Sequence, residues 1–293
     1  VVALQAMPHP ASDVDPAQQL RERRASVEEV YLAIEALGNG ADPDVVAALI
    51  SAALEEAPLD ELAHLRGGRE RIVAQAVEDY RRFAPSEASN ASSAAGLVRI
   101  LLLQNVDLLW WEDVEDFATE AEARAAGLLD LRRLKRSGRV HFSFGIASDG
   151  ILRRGRDFVV QRLTPHREPR GAGLAYTGIR PEMLGLLNEI AEAVAAIAPI
   201  GTPPIRVNSI VRTVEHQNHL KALGFSALSP SAHCRGWAAD IEVTWFERFD
   251  AADSLREVLL DYLDRGILNV IDEGRAWHVC LSPEFAHRYA SGA

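Results

Sequence analysis

The chain has 293 residues, 48% of them hydrophobic and 25% charged, a globular composition with room for one large domain or two small ones. Acidic residues outnumber basic ones 42 to 31, and the formal net charge of -11 argues against nucleic acid as the main partner, because phosphate contacts need a dense Lys/Arg field. Two cysteines, Cys234 and Cys280, exclude a disulfide-built scaffold, and no apolar run reaches the roughly 18–20 residues of a membrane span, so the expectation is a soluble chain, cytoplasmic or secreted with its leader removed.

Residues 1–95 read as an all-helical N-terminal region. Ser26 and Glu29 form a capping-box pair ahead of Val27, Val30, Ile34 and Leu37 at helical spacing, and Gly38 and Gly40 end that helix. Asp42-Pro43 opens a second helix, with the proline suited to the first helical position, that buries Val45, Val46, Leu49 and Ile50. A third spans about Glu70 to Phe83 and stops at Pro85. Residues 85–96, PSEASNASSAAG, are small and polar with no apolar period, so they read as a connector and the domain boundary is placed there.

Beyond it, Val98–Trp111 reads as a helix, a greasy stretch broken by Arg99, Gln104, Asn105 and Asp107, and Glu112–Leu134 as another amphipathic helical stretch. Val140, Phe142, Phe144 and Ile146 alternate, and Phe158–Leu163 is a second short apolar segment, which predicts two strands separated by an SDG turn. Pro181 opens the best amphipathic helix, to residue 198, and Pro199, Gly201, Pro203 and Pro204 terminate it. The order is then strand (Ile205–Val211), helix (Val214–Leu223), strand (Trp237–Thr244), helix (Ala252–Arg265) and two strands, Ile267–Ile271 and Trp277–Leu281, paired through the turn DEGRA. Residues 96–293 are therefore predicted to be an α+β domain, a small and largely antiparallel sheet with flanking helices.

A catalytic zinc needs three protein ligands and an open fourth position, and two His plus one carboxylate is a common set. His233 lies in a loop before Gly236, where the backbone must turn tightly, and Asp240 enters an apolar strand. His278 sits inside the apolar strand AWHVCL, where a buried imidazole needs a partner. Taken singly, each also fits a core histidine or a strand-edge acid.

Together they carry a resemblance. Ser231 to Asp240 matches the S-x-H-x-x-G-x-A-x-D motif of the zinc D-Ala-D-Ala carboxypeptidase and dipeptidase family, the VanX and VanY type, whose fold is shared with the Hedgehog signalling domain. The segment from Asn208 to Leu220, with Arg212 closing a strand and Gln217 on the following helix, resembles that family's strand-to-helix segment, and Trp277-His278 is similar to its terminal Trp-His pair. The resemblance covers about residues 180–290. It implies His233, Asp240 and His278 as zinc ligands and Arg212 as the group that stabilises an oxyanion or grips a substrate carboxylate, a surface salt bridge being the other reading of Arg212; Ser231 is a candidate substrate contact, and Gln217 either touches substrate or caps the loop. It also implies hydrolysis of an amide bond in a small peptide, such as a peptidoglycan stem peptide.

One position departs from that pattern. The family places a Glu general base three residues before the final His, and here that position is Arg275, which cannot take a proton. Glu273, two residues earlier in the hairpin turn, is the candidate base, and Asp272 a weaker one. A non-hydrolytic metal-containing binding domain of the same fold is the main alternative. Two His and an Asp also match the facial triad of a non-haem Fe(II) oxygenase, although His233 and Asp240 are seven positions apart instead of the usual His-x-Asp. His216 and His219 read as a surface pair, and Cys234 and Cys280 as spectator thiols, a further soft ligand or a disulfide.

Overall fold

The computed structural model describes residues 15–38, 40–83, 91–146, 174–222 and 228–290. The predicted Phe158–Leu163 strand and its SDG turn lie outside them. Four helices come first: α1 (Pro16–Ala36), α2 (Pro43–Ala53), α3 (Gly68–Arg82) and α4 (Ala94–Trp110). Helix α1 starts well before the Ser26 signal. The Asp15 side chain accepts a hydrogen bond from the Ala17 N–H at 3.1 Å, Pro16 takes the first helical position, and the buried stripe Leu20, Val27, Val30, Ile34 runs unbroken through Ser26. Packing of that stripe outweighs the internal cap. Helix α4 is capped by Ser93, which accepts from the Gly96 N–H at 3.0 Å, and it buries Asn105 and Asp107 along with its apolar side chains.

The single helical stretch expected over 112–134 is instead α5 (Glu120–Ala125), β1 (Leu129–Asp130) and α6 (Leu131–Arg136). The Thr119 and Asp130 side chains accept from the N–H groups of Glu122 and Arg132, so each short helix carries its own cap and the chain restarts between them. There follow β2 (Ser143–Phe144), β3 (Gly178–Ile179), α7 (Pro181–Ile197), β4 (Arg206–Ser209), α8 (Val214–Ala222), β5 (Ala238–Glu242), α9 (Thr244–Glu247), α10 (Ala252–Asp264), β6 (Leu268–Asp272), β7 (Ala276–Leu281) and α11 (Pro283–Tyr289).

The main sheet has the order β2-β4-β5-β7-β6, and every neighbouring pair except β2 with β4 is antiparallel. The class is α+β, as expected. Alternation along the strands sorts side chains between two cores. Ile241, Val270, Val279 and Leu281 join Met183, Leu187 and Leu259 from α7 and α10. On the opposite face Ile271 joins the cluster formed by α1 to α4, and α4 lies against β6. Helix α4 packs on α1 and α3 as well, so the helical layer continues across the expected boundary at residue 95. No helix of the described residues is long and apolar enough to cross a membrane.

Candidate metal centre

Backbone register places two of the three expected ligands. Asp240 of β5 and His278 of β7 are directly opposed in the antiparallel ladder, so both side chains leave the sheet on the face that meets α4. His233 arrives from the 3-10 turn Ala232–Arg235, which ends at Gly236 with φ of 76°, a left-handed conformation that suits glycine and lets the chain turn directly into β5. All three residues are buried.

Their facing atoms form a nearly equilateral triangle. His233 Nε2 is 3.1 Å from Asp240 Oδ1, His278 Nδ1 is 3.1 Å from the same oxygen, and the two ring nitrogens are 3.2 Å apart. Ligand atoms about 2.0–2.1 Å from a tetrahedral ion lie about 3.3 Å from one another, so the triangle has the dimensions of one face of a zinc site.

The groups behind the ligands set which atoms face inward. His233 Nδ1 donates to the Ile210 carbonyl at 2.8 Å, leaving Nε2 with its lone pair toward the triangle. His278 Nε2 donates to Asp107 Oδ2 at 2.9 Å, which turns Nδ1 inward. Asp240 Oδ2 accepts from the Arg212 guanidinium at 2.6 Å, which leaves Oδ1 for the triangle. Burial pushes the His233 pKa down and favours its neutral, lone-pair-bearing form. Burial opposes ionisation of Asp240, but His233 and Arg212 outweigh it and hold the carboxyl well below the usual range. For His278 burial again disfavours charge, yet its hydrogen bonds to Asp107 and Asp240 raise the pKa to about 10. Two carboxylates thus favour a cation at this point, as a proton on the ring or as an ion at the centre of the triangle. The donor set fits a divalent metal.

The candidate base also lies beside the triangle. Glu273 is buried in the hairpin turn while Arg275 is exposed, so the turn carries the carboxylate inward and the arginine out. Gly274, with φ of 73°, makes that turn, and its N–H donates to Asp272 Oδ1 at 2.7 Å. Asp272 itself is exposed. Burial, and then the negative charge of Asp240, push the Glu273 carboxyl up to about 7, against the pull of His278 and Arg212. Gln104 Nε2 donates to Glu273 Oε1 at 2.8 Å.

Arg212 remains partly exposed, with one nitrogen on Asp240 and another 3.5 Å from Gln217 Oε1. Gln217 and Ser231 are buried, and Gln217 Nε2 donates to Ser231 Oγ at 2.9 Å and to the Leu228 carbonyl at 3.0 Å. Their polar atoms are spent on holding the loop before His233 rather than presented at a surface. His219 is exposed, His216 meets the Tyr176 ring edge-on, and neither belongs to the triangle. Cys234 and Cys280 are free and buried, burial raises both thiol pKa values, and neither thiol belongs to the triangle.

Asp107, Gln104 and Asn269 are the participants that motif reading passes over. Their only sequence signal is the run of polar residues interrupting the apolar Leu97–Trp111 stretch and an Asn inside an apolar strand. Asn269 Nδ2 donates to Asp107 Oδ1 at 2.8 Å and to the Leu103 carbonyl at 3.1 Å, so the carboxylate behind His278 is held on both oxygens. No protein-family model, curated protein or solved structure matches this chain.

Proposed function

We propose that the chain is a zinc-dependent hydrolase of an amide bond in a small peptide, with His233, Asp240 and His278 as metal ligands and Glu273 as general base. The observation that carries this reading is the triangle of three inward-facing donor atoms, 3.1–3.2 Å apart, with a buried carboxylate of raised pKa beside it. Zinc in such a donor set supplies Lewis acidity, polarising a carbonyl and making water a competent nucleophile near neutral pH.

The protein's own groups do the rest. Glu273, with its pKa raised to about 7, is poised to accept a proton from the attacking water and return it to the departing amine, and the Gln104 bond fixes one of its oxygens. Arg212 anchors the outer oxygen of Asp240 and keeps its remaining N–H groups near the site for a developing oxyanion or a substrate carboxylate. The stem peptide of bacterial cell wall, cut by a D,D-carboxypeptidase or dipeptidase, is the substrate class that the motif resemblance brings. Purified protein with stoichiometric zinc should release D-Ala from a stem-peptide mimic and lose this on His233→Ala. Release that survives loss of zinc, or iron found after anaerobic purification, overturns the reading.

Arg275 at the family's base position favours a second reading, a metal-holding binding domain without turnover. Zinc at full occupancy with no hydrolysis in either the native chain or Glu273→Gln would select it.

A further inference from the structure

We propose that Arg24 and Asn269 are positioning residues of the metal centre, acting through Asp107 on His278, so that helix α1 is part of the site's framework; this rests on the metal reading above. The chain of contacts is continuous. Arg24 donates to Asn269 Oδ1 at 2.7 Å, Asn269 Nδ2 donates to Asp107 Oδ1 at 2.8 Å, and Asp107 Oδ2 receives His278 Nε2 at 2.9 Å. Each bond runs in a set direction. An arginine can only donate and an ionised carboxylate can only accept, so the amide between them has one orientation.

The setting makes this costly unless it serves the site. Asn269 and Asp107 are wholly buried, and a half-satisfied buried network is worse than apolar packing. Arg24 is half-buried, and among the described residues no carboxylate comes within ion-pair distance of it. Its guanidinium also donates to the Val270 carbonyl at 2.8 Å, so both its contacts go to β6. Burial and the nearby charge of Arg99 lower its pKa to about 10, while the charge of Asp107, one amide away, supports it. An arginine that gives its hydrogen bonds to an amide oxygen and a main-chain carbonyl of one strand, instead of to a carboxylate, is placed to orient that strand's groups. As the end of a relay it fixes the Asn269 amide, which fixes the Asp107 carboxylate, which sets the ring plane of His278 and keeps Nδ1 inward.

The test is a double-mutant cycle on the full chain, read by zinc affinity in competition with a chromophoric chelator and by the visible spectrum of the cobalt-substituted protein. Asp107→Asn should weaken zinc binding about 10- to 100-fold and alter the cobalt spectrum. Arg24→Met should weaken it by about threefold to tenfold, and Arg24→Lys, which can still donate to Asn269, should recover most of that loss. In the Asp107→Asn background, Arg24→Met should add nothing. Losses that multiply in the double variant overturn the relay, as does an Arg24→Met protein whose melting temperature drops while zinc affinity and cobalt spectrum stay native. If the native chain binds neither zinc nor cobalt, the metal reading fails and the relay with it; native binding with multiplicative losses sinks the relay alone.

Discussion

The helical layer of α1 to α4 and the sheet behind it hold the same site by different means. The sheet works through its backbone: Asp240 and His278 face each other because β5 and β7 are in register, and a ladder of main-chain hydrogen bonds keeps them so. The helical layer works through side chains, with Asp107 on His278 and Gln104 on Glu273, both from α4. Register decides where a ligand is; a side-chain bond decides which way it points. The first resists single substitutions, and the second is open to them.

The largest expected effect falls on the sheet side. His278→Ala or Asp240→Ala should abolish stoichiometric zinc in the purified protein, whereas His216→Ala and His219→Ala should leave it intact; metal analysis decides. Next comes the turn where the two regions meet. Glu273→Gln should lower turnover about 10²- to 10⁴-fold at unchanged zinc content, while Arg275→Ala should leave turnover at the native level. A fall of equal size in both would mean that the turn, and not its carboxylate, matters.

Core truncations on the two faces compare the regions directly. Leu102→Ala in the helical layer and Leu259→Ala on the far face remove fully buried side chains and should each cost about 2–5 kcal/mol in urea unfolding. Because α4 packs against β6, both should shift one shared transition; two separate transitions would show that the layers unfold independently. Zinc at about 100 times its Kd should add about 2.7 kcal/mol to that same transition, and a chelator should remove it.

The smallest effect lies far from the site. Burial, above all, raises the pKa of Asp79 on α3, with Glu78 adding to it and Lys221 opposing it, so the ionised form is less comfortable folded than unfolded. The folded pKa lies above the unfolded one, so the native state is relatively favoured below the unfolded pKa and loses that advantage as pH rises through the folded one. Asp79→Asn should therefore raise the melting temperature at pH 7, and the gain should vanish toward pH 3. A gain that persists in acid would point to packing instead of charge.

The amino-acid sequence by itself determined what local chemistry can encode. The apolar strand segments Ala238–Glu242 and Ala276–Leu281, the apolar stripe of α7, the glycine at 236 and the residue types at 233, 240 and 278 are all set by neighbours a few positions away. Its misreadings have the same origin: Ser26 looks like a cap until the buried stripe of α1 carries the helix through it, and residues 112–134 look helical until two side-chain caps divide them. What only the tertiary structure decided is how distant groups meet. Glu273 is buried and Arg275 exposed because the hairpin turns one inward and the other outward, and Asp107 bonds to His278 from 171 positions away because α4 docks on one face of the sheet. Such pairings depend on the orientation of whole elements, which is settled by the summed burial of many side chains and leaves no mark at any single residue.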